Sequence, residues 1–96
     1  MEFRLFGPFE VWHDGTAIDP GDLQQRYVLV ILLRNANQAV SRDYLQETVW
    51  LGQEQPRSDL VTSYVARLRK IFRDAGVDDI TIEKKPTGYL LQVDES

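Results

Sequence analysis

The stretch that decides the fold is residues 60–76, LVTSYVARLRKIFRDAG, which separates into an apolar and a cationic side when wound as a helix. At about 100° per residue, one arc of roughly 140° holds the apolar side chains, which are Leu60, Val61, Tyr64, Val65, Leu68, Ile71, Phe72 and Ala75. The opposite arc, here called the surface arc, carries Thr62, Ser63, Ala66, Arg67, Arg69, Lys70, Arg73 and Asp74. We therefore predict a helix that packs by one face and exposes cations on the other.

The surface arc is suited to a nucleic-acid groove, because no acidic residue occurs from Leu60 through Phe72. A helix that docks by its apolar face and presents small polar and cationic groups outward can read DNA in the major groove. An ordinary surface helix whose charges are only solvated gives the same pattern. The helix alone leaves both interpretations open.

The composition predicts one small globular domain over residues 1–96. The chain has 43% apolar and 10% aromatic residues, which is typical of a packed domain rather than a disordered segment. A core of this size does not enclose a roomy active site. Cysteine is absent, which excludes disulfides and cysteine-based zinc sites. We expect no metal and no cofactor.

No stretch of the sequence suggests a membrane segment. The longest apolar run, residues 28–33, is too short to cross a bilayer, and Met1 is not followed by a basic and then apolar leader. We therefore expect a soluble cytoplasmic protein with no membrane partner.

The net charge of −4 argues against nucleic-acid binding, but its distribution weakens that objection. Residues 1–56 hold four cations against eight acids, whereas residues 57–85 hold seven cations against five acids. Because local potential within about 8–10 Å decides contact energy, a cationic end can still bind DNA. We expect such binding to be modest and steeply dependent on salt.

Hydrophobic periodicity and turn residues predict an α+β order of elements. Short strands are expected at 3–7, 9–13 and 16–18, with helices at about 23–36, 42–50 and 60–75 and a closing hairpin at 80–93. Asp22, Ser41 and Asp59 are candidate N-caps, and Gly76 suits the left-handed position after the third helix. The first helix is apolar all round at residues 28–33, so we expect it to be the most buried element.

A hairpin that follows the third helix predicts a winged helix-turn-helix, with the hairpin as the wing. We place Lys84 and Lys85 in the turn of this hairpin, together with Pro86, Thr87 and Gly88. Lysines in that place can neutralise DNA phosphates. They can also serve solubility alone.

Four segments in this order resemble the DNA-binding domain of the SARP (antibiotic regulatory protein) activators, which are related to OmpR/PhoB-class winged-helix regulators. They are FRLFGPFEVWHDG at 3–15, QRYVLVILL at 25–33, VSRDYL followed by VW within 40–50, and SYVARLRKIF with PTGYLL within 63–91. Together they cover nearly the whole chain. The ordered set is specific, whereas any one segment alone is not.

The resemblance implies a transcription activator that binds direct repeats in promoters, with a second copy on the repeat, and recruits RNA polymerase. The third helix would enter the major groove and the wing would lie beside it. The expected DNA contacts are Thr62, Ser63, Tyr64, Arg67, Arg69, Lys70, Arg73, Lys84, Lys85 and Thr87. The connector 51–58 occupies the place of the polymerase-contacting loop, so the expected contacts there are Gln53, Glu54, Gln55 and Arg57.

The sequence bears on two other classes of function, an enzyme and a protein-binding domain. For an enzyme, His13 is the only histidine, and no nucleophile, phosphate-binding glycine loop or spaced acid pair accompanies it. The acids Asp78 and Asp79 are explained by a solvated turn. The second class is a winged helix that contacts an acidic protein and does not bind DNA. The acidity of the chain keeps that alternative open.

Overall fold

A computed structural model describes residues 2–4, 10–13, 15–51 and 60–93. The elements follow the order β1 (Glu2–Arg4), β2 (Glu10–His13), β3 (Thr16–Ile18), α1 (Leu23–Arg34), β4 (Ala39–Ser41), α2 (Arg42–Val49), α3 (Leu60–Asp74), β5 (Ile80–Lys85) and β6 (Gly88–Val93). The three predicted helices and the closing hairpin are confirmed, with ends that shift by one or two residues. The fold is α+β with the layout of a winged helix-turn-helix.

The strands form two antiparallel sheets. The first has the order β1-β2-β3, and the second has the order β4-β6-β5. Strand β4 was not predicted from the sequence. It pairs with the distant β6 through Val40 opposite Tyr89 and Ser41 opposite Gly88. A strand of three residues carries too little periodicity to be recognised, and its partner lies far along the chain.

The helix ends follow from local hydrogen bonds. The Asp22 carboxylate accepts from the Gln25 amide at 3.0 Å, and the Ser41 hydroxyl accepts from the Tyr44 amide at 3.0 Å. Both predicted N-caps are therefore confirmed. At the end of α3, Gly76 has φ +75° and Val77 donates to the Phe72 carbonyl at 2.9 Å, which is a Schellman closure. Asp59, the third proposed cap, lies outside the described residues.

The core lies between α1, α2, α3 and the inner face of the second sheet. Its fully buried side chains include Leu29, Leu32, Leu45, Leu68 and Leu91, so every one of these elements contributes. The sequence predicts α1 as the most buried element, and within residues 28–33 none of its side chains is exposed. Its inner face is buried, but Leu23 and Tyr27 are 54% and 44% exposed, because only one side of the helix has neighbours.

The hairpin turn is tighter than predicted. Lys84 and Lys85 belong to β5, and only Pro86 and Thr87 form the turn, so their placement in the loop was wrong. β4 pairs with the same end of β6, at residues 88–90. A Cβ on Gly88 would collide with the Val40 carbonyl oxygen, so only glycine allows β4 and β6 to pair there. The paired backbone continues to the tip, where Lys85 lies opposite Gly88.

Candidate nucleic-acid interface

The surface arc of α3 is exposed along its whole length. Its predicted DNA contacts Thr62, Ser63, Arg67, Arg69, Lys70 and Arg73 are all exposed, while the opposite side of the helix buries Val61, Val65, Leu68 and Phe72. The amphipathic division predicted from the sequence is therefore confirmed. The arc presents a continuous cationic surface that an acidic ligand can approach from outside the domain.

Tyr64 is the predicted contact whose position differs most from expectation. The resemblance places it near the groove, but only 8% of the side chain is exposed. Its ring stacks on Trp50 at the end of α2, with 6.0 Å between ring centroids and 18° between planes. The Arg67 guanidinium lies over the Tyr64 ring, 5.6 Å from its centroid. Tyr64 thus joins α2 to α3 by packing, and its burial argues against a DNA contact.

The surroundings of Tyr64 disfavour ionisation of its hydroxyl. Burial raises the pKa of Tyr64, the carboxylate of Asp22 raises it further, and the Arg67 guanidinium partly opposes the shift. Tyr64 is therefore a neutral packing group under ordinary conditions. Arg67, which is exposed, is held over its ring.

Two side chains of the surface arc bind the wing, defined here as β5, the Pro86–Thr87 turn and β6. The Nε of Arg69 donates to the Ile82 carbonyl oxygen in β5 at 2.8 Å. The hydroxyls of Thr62 and Tyr89 share a hydrogen bond of 2.8 Å, and Tyr89 belongs to β6. The helix is thus tied to both strands of the wing.

Lys84 and Lys85 lie on opposite faces of the wing. Cross-strand partners share a face, and Lys84 pairs with Tyr89, which reaches α3. Lys85 shares its face with Glu83, and the Lys85 Nζ lies 3.1 Å from a Glu83 carboxylate oxygen. Lys84 therefore belongs to the same surface as the arc of α3. Lys85 lies on the other face of the wing and is paired with Glu83.

A polar cleft lies between the wing turn, the start of α2 and the start of α3. It is lined by Arg42, Asp43, Thr62, Lys84, Lys85, Pro86, Thr87, Gly88 and Tyr89. The Arg42 amide donates to the Thr87 carbonyl at 2.9 Å, which fastens the wing turn to α2. Arg42 is not among the residues predicted from the sequence. It directly follows the Ser41 cap at the start of α2, and helix N-termini are among the groups that contact DNA phosphates.

The predicted polymerase contacts Gln53, Glu54, Gln55 and Arg57 lie outside the described residues. The last described residue before them, Leu51, is 80% exposed and directly follows the buried Trp50. The chain therefore leaves α2 at the surface, beside the Tyr64 stack. Within the described residues, no helix is long and apolar enough to cross a membrane, and no three acidic or histidine side chains gather as metal ligands.

Known proteins resemble this chain over most of its length. The family described as "Transcriptional regulatory protein, C terminal" matches residues 22–91. The transcriptional regulatory protein EmbR of Mycobacterium tuberculosis is 35% identical over 100 residues, which cover 100% of this chain and 25% of EmbR. MoaR1 of the same species is 36% identical over 95 residues, covering 97% of this chain and 30% of MoaR1.

A longer relative and a solved structure agree with these matches. The regulatory protein AfsR of Streptomyces coelicolor is 35% identical over 79 residues, covering 80% of this chain and 8% of AfsR. The structure of M. tuberculosis EmbR in complex with a low-affinity phosphopeptide superposes with a TM-score of 0.81 at 34% identity, over 96% of this chain and 25% of that one. The chain spans a quarter to a third of EmbR and MoaR1.

These relatives are SARP regulators, and the matched family is the OmpR/PhoB-type DNA-binding domain of transcriptional regulators. The fold, the exposed arc of α3 and the wing beside it agree with both. This chain belongs to the family of OmpR/PhoB-type C-terminal domains of transcriptional regulatory proteins and is a SARP-like member of it.

Proposed function

We propose that this domain reads promoter DNA as part of a transcription activator, binding direct repeats with α3 in the major groove and the wing on the adjacent backbone. The observation that carries the proposal is the exposed arc of α3, with Lys84 of the wing held on the same side. On this arc, Arg67, Lys70 and Ser63 are the proposed base-reading residues. Lys84 and Arg42 are the proposed phosphate contacts.

The charge of the domain sets how it would bind. The whole chain is acidic, so long-range attraction to DNA is weak and contact depends on the local cations of α3 and the wing. Such binding is sensitive to salt, because each neutralised phosphate releases a counterion. Specific affinity then comes from side chains that reach base edges, of which arginine is the most discriminating.

The test is to select bound sequences from a random duplex pool with the purified 96-residue chain. We expect an enriched motif repeated in one orientation, and Arg67→Ala should relax preference within it. Arg34→Ala is the matched control, since Arg34 is an exposed arginine at the far end of α1. Failure to bind any duplex at low salt would favour the alternative, a domain that contacts an acidic protein.

We further propose that the connector between α2 and α3 contacts RNA polymerase. The support is its exit at the exposed Leu51, beside the helix that would read DNA, and its polar composition at residues 52–58. Loops at a domain surface carry interactions more often than the elements that they join.

The test of this contact is a quadruple substitution of Gln53, Glu54, Gln55 and Arg57 by Ala or Ser in the longer regulator that carries this domain. Promoter activation should be lost while operator affinity stays within about twofold. A variant that activates fully would overturn the contact. A variant that loses operator binding would place these residues on DNA instead.

A further inference from the structure

Two side chains of the surface arc point to the wing rather than straight outward. Thr62 and Arg69 are seven residues apart, which places them within about 20° of each other on the helix. Both make hydrogen bonds of 2.8 Å to the wing, Thr62 with the Tyr89 hydroxyl and Arg69 with the Ile82 carbonyl. They form one edge of the arc, whereas Ser63, Arg67 and Lys70 form its middle and opposite edge.

We propose that Thr62 and Arg69 are positioning residues, which fix the wing on the recognition helix and do not read bases. This proposal rests on the proposed function, because the surface they hold together is the one proposed to bind DNA. The proposal removes Arg69 from the residues expected to read bases. Its charge contributes to the local potential, but its Nε is committed to the protein backbone.

The acceptor that Arg69 uses explains why an arginine stands there. β5 is the outer strand of the described order β4-β6-β5, and carbonyls on the outer side of an edge strand have no strand partner. The side chain of Ile82 is buried, and its carbonyl oxygen lies within hydrogen-bonding distance of Arg69 in α3. A long side chain with a planar guanidinium reaches such a carbonyl.

The Thr62–Tyr89 bond acts at the other end of the wing, near its tip. Tyr89 is 3% exposed and lies opposite both Lys84 of β5 and Val40 of β4. Its hydroxyl is the one polar atom of the side chain, and Thr62 supplies its partner. Because Tyr89 is the cross-strand partner of Lys84, the bond between Tyr89 and Thr62 also fixes the position of Lys84 relative to α3.

The two hydrogen bonds add to the core packing of Ile82, Tyr89 and Leu91 in holding the wing against α3. A wing that is ordered before binding does not lose conformational freedom when DNA is bound, so affinity is higher on every sequence. Positioning residues thus have a recognisable effect. Their loss weakens binding to specific and random duplex by similar factors, whereas loss of a base reader changes which sequence is preferred.

The first experiment compares Tyr89→Phe, Thr62→Val and the double variant of the 96-residue chain by DNA affinity at a temperature well below melting. A single hydrogen bond predicts a loss of about two- to tenfold for each variant. We expect equal losses for the two single variants, on the selected motif and on random duplex alike. The double variant should lose no more than either one.

Two outcomes would overturn the Thr62–Tyr89 part of the proposal. A loss for Thr62→Val with none for Tyr89→Phe would place the threonine hydroxyl on DNA. Wild-type affinity for both variants would show that the bond is without effect on binding. A purely structural bond lowers the melting temperature but leaves affinity at low temperature unchanged.

The second experiment compares Arg69 with Lys70, the next residue in the sequence, which is also exposed on the arc. Arg69→Ala should keep the selected motif, and Lys84→Ala should cost less affinity in that background than in wild type, because the wing is already loose. Lys70→Ala should leave the effect of Lys84→Ala unchanged. A shifted motif for Arg69→Ala, or strict additivity with Lys84→Ala, would overturn its positioning role.

Hydrogen exchange on the free domain separates this proposal from the proposed function. The amides of β5 and β6 should exchange faster in Tyr89→Phe and Arg69→Ala than in wild type, with α1 unchanged. Unchanged exchange would show that neither bond holds the wing. If wild type binds no duplex while these amides still loosen, the proposed function fails, and the positioning proposal is overturned as a statement about DNA binding.

Discussion

Helices α1 and α3 pack against each other in the core, but their outward faces differ in chemistry. The outward face of α1 exposes Leu23 and Tyr27, and that of α3 exposes cations and small polar groups. Both inward faces bury residues completely, Leu29 and Leu32 on α1 and Leu68 on α3. Periodicity therefore identifies the core face of each helix, whereas the chemistry of the outward face indicates function. Substitutions should separate these two properties.

The largest expected effect is on the core face of α1. Leu32 is fully buried, and Leu32→Ala should lower the free energy of unfolding by about 2–5 kcal/mol through lost transfer energy and a cavity. The half-buried Ile31, which directly precedes Leu32, is the matched control, and Ile31→Ala should lower the free energy of unfolding less. Urea unfolding at equilibrium measures both. Equal losses for the two variants would mean that burial does not distinguish the faces of α1.

The second effect is on the outward face of α3, where stability and binding should separate. Arg67→Ala should cost about 1–3 kcal/mol of discrimination between the selected motif and a mismatched one, if this arginine reaches a base edge. Loss of its contact over Tyr64 should cost stability only about 0.5–1 kcal/mol. Competition binding and thermal unfolding measure the two quantities. Unaltered discrimination would remove Arg67 from the readers.

The sequence predicts the helices of this fold but not the pairing of its distant strands. Helical periods and the caps Asp22 and Ser41 are local, so the helices were predictable to within one or two residues. β4 was not, because its pairing with β6 depends on contacts between distant segments. Lys84 and Lys85 were assigned to a turn because Pro86, Thr87 and Gly88 are strong turn residues and hide the extended strand.

The candidate site shows a similar limit. The cationic arc could be predicted, since charge and period are both written in the sequence. The engagement of Arg69 with a carbonyl of β5 could not, because an arginine that binds backbone and one that faces solvent have the same pattern. Tyr64 lies toward the edge of the apolar arc that borders Arg67, so its helical position alone does not separate a core residue from a groove residue. Only packing against Trp50 decides its side.

The third effect extends the contrast between faces from the helix to the wing. Lys84→Ala should flatten the slope of log affinity against log salt by about 1 unit, the value for one phosphate contact. Lys85→Ala is the matched control and should change the slope less, because the Lys85 Nζ lies 3.1 Å from a Glu83 carboxylate oxygen and Lys85 lies on the opposite face of the wing from Lys84. Salt titrations of binding to random duplex measure both. The reverse order would show that DNA approaches the other face of the wing.

The smallest expected effect is at Tyr64, on the border between the two faces of α3. Since its folded pKa is raised, the folded state holds this proton more firmly than the unfolded state does. The resulting stability is present below the unfolded value of about 10 and is lost as pH rises through the folded pKa. Between neutral and strongly alkaline pH, the free energy of unfolding should therefore fall less for Tyr64→Phe than for wild type, as measured by urea unfolding. At neutral pH its DNA affinity should stay within about twofold, because the ring still packs against Trp50 and Arg67. A larger loss of affinity with the fold intact would place the Tyr64 hydroxyl on DNA and move the border of the reading face by one residue.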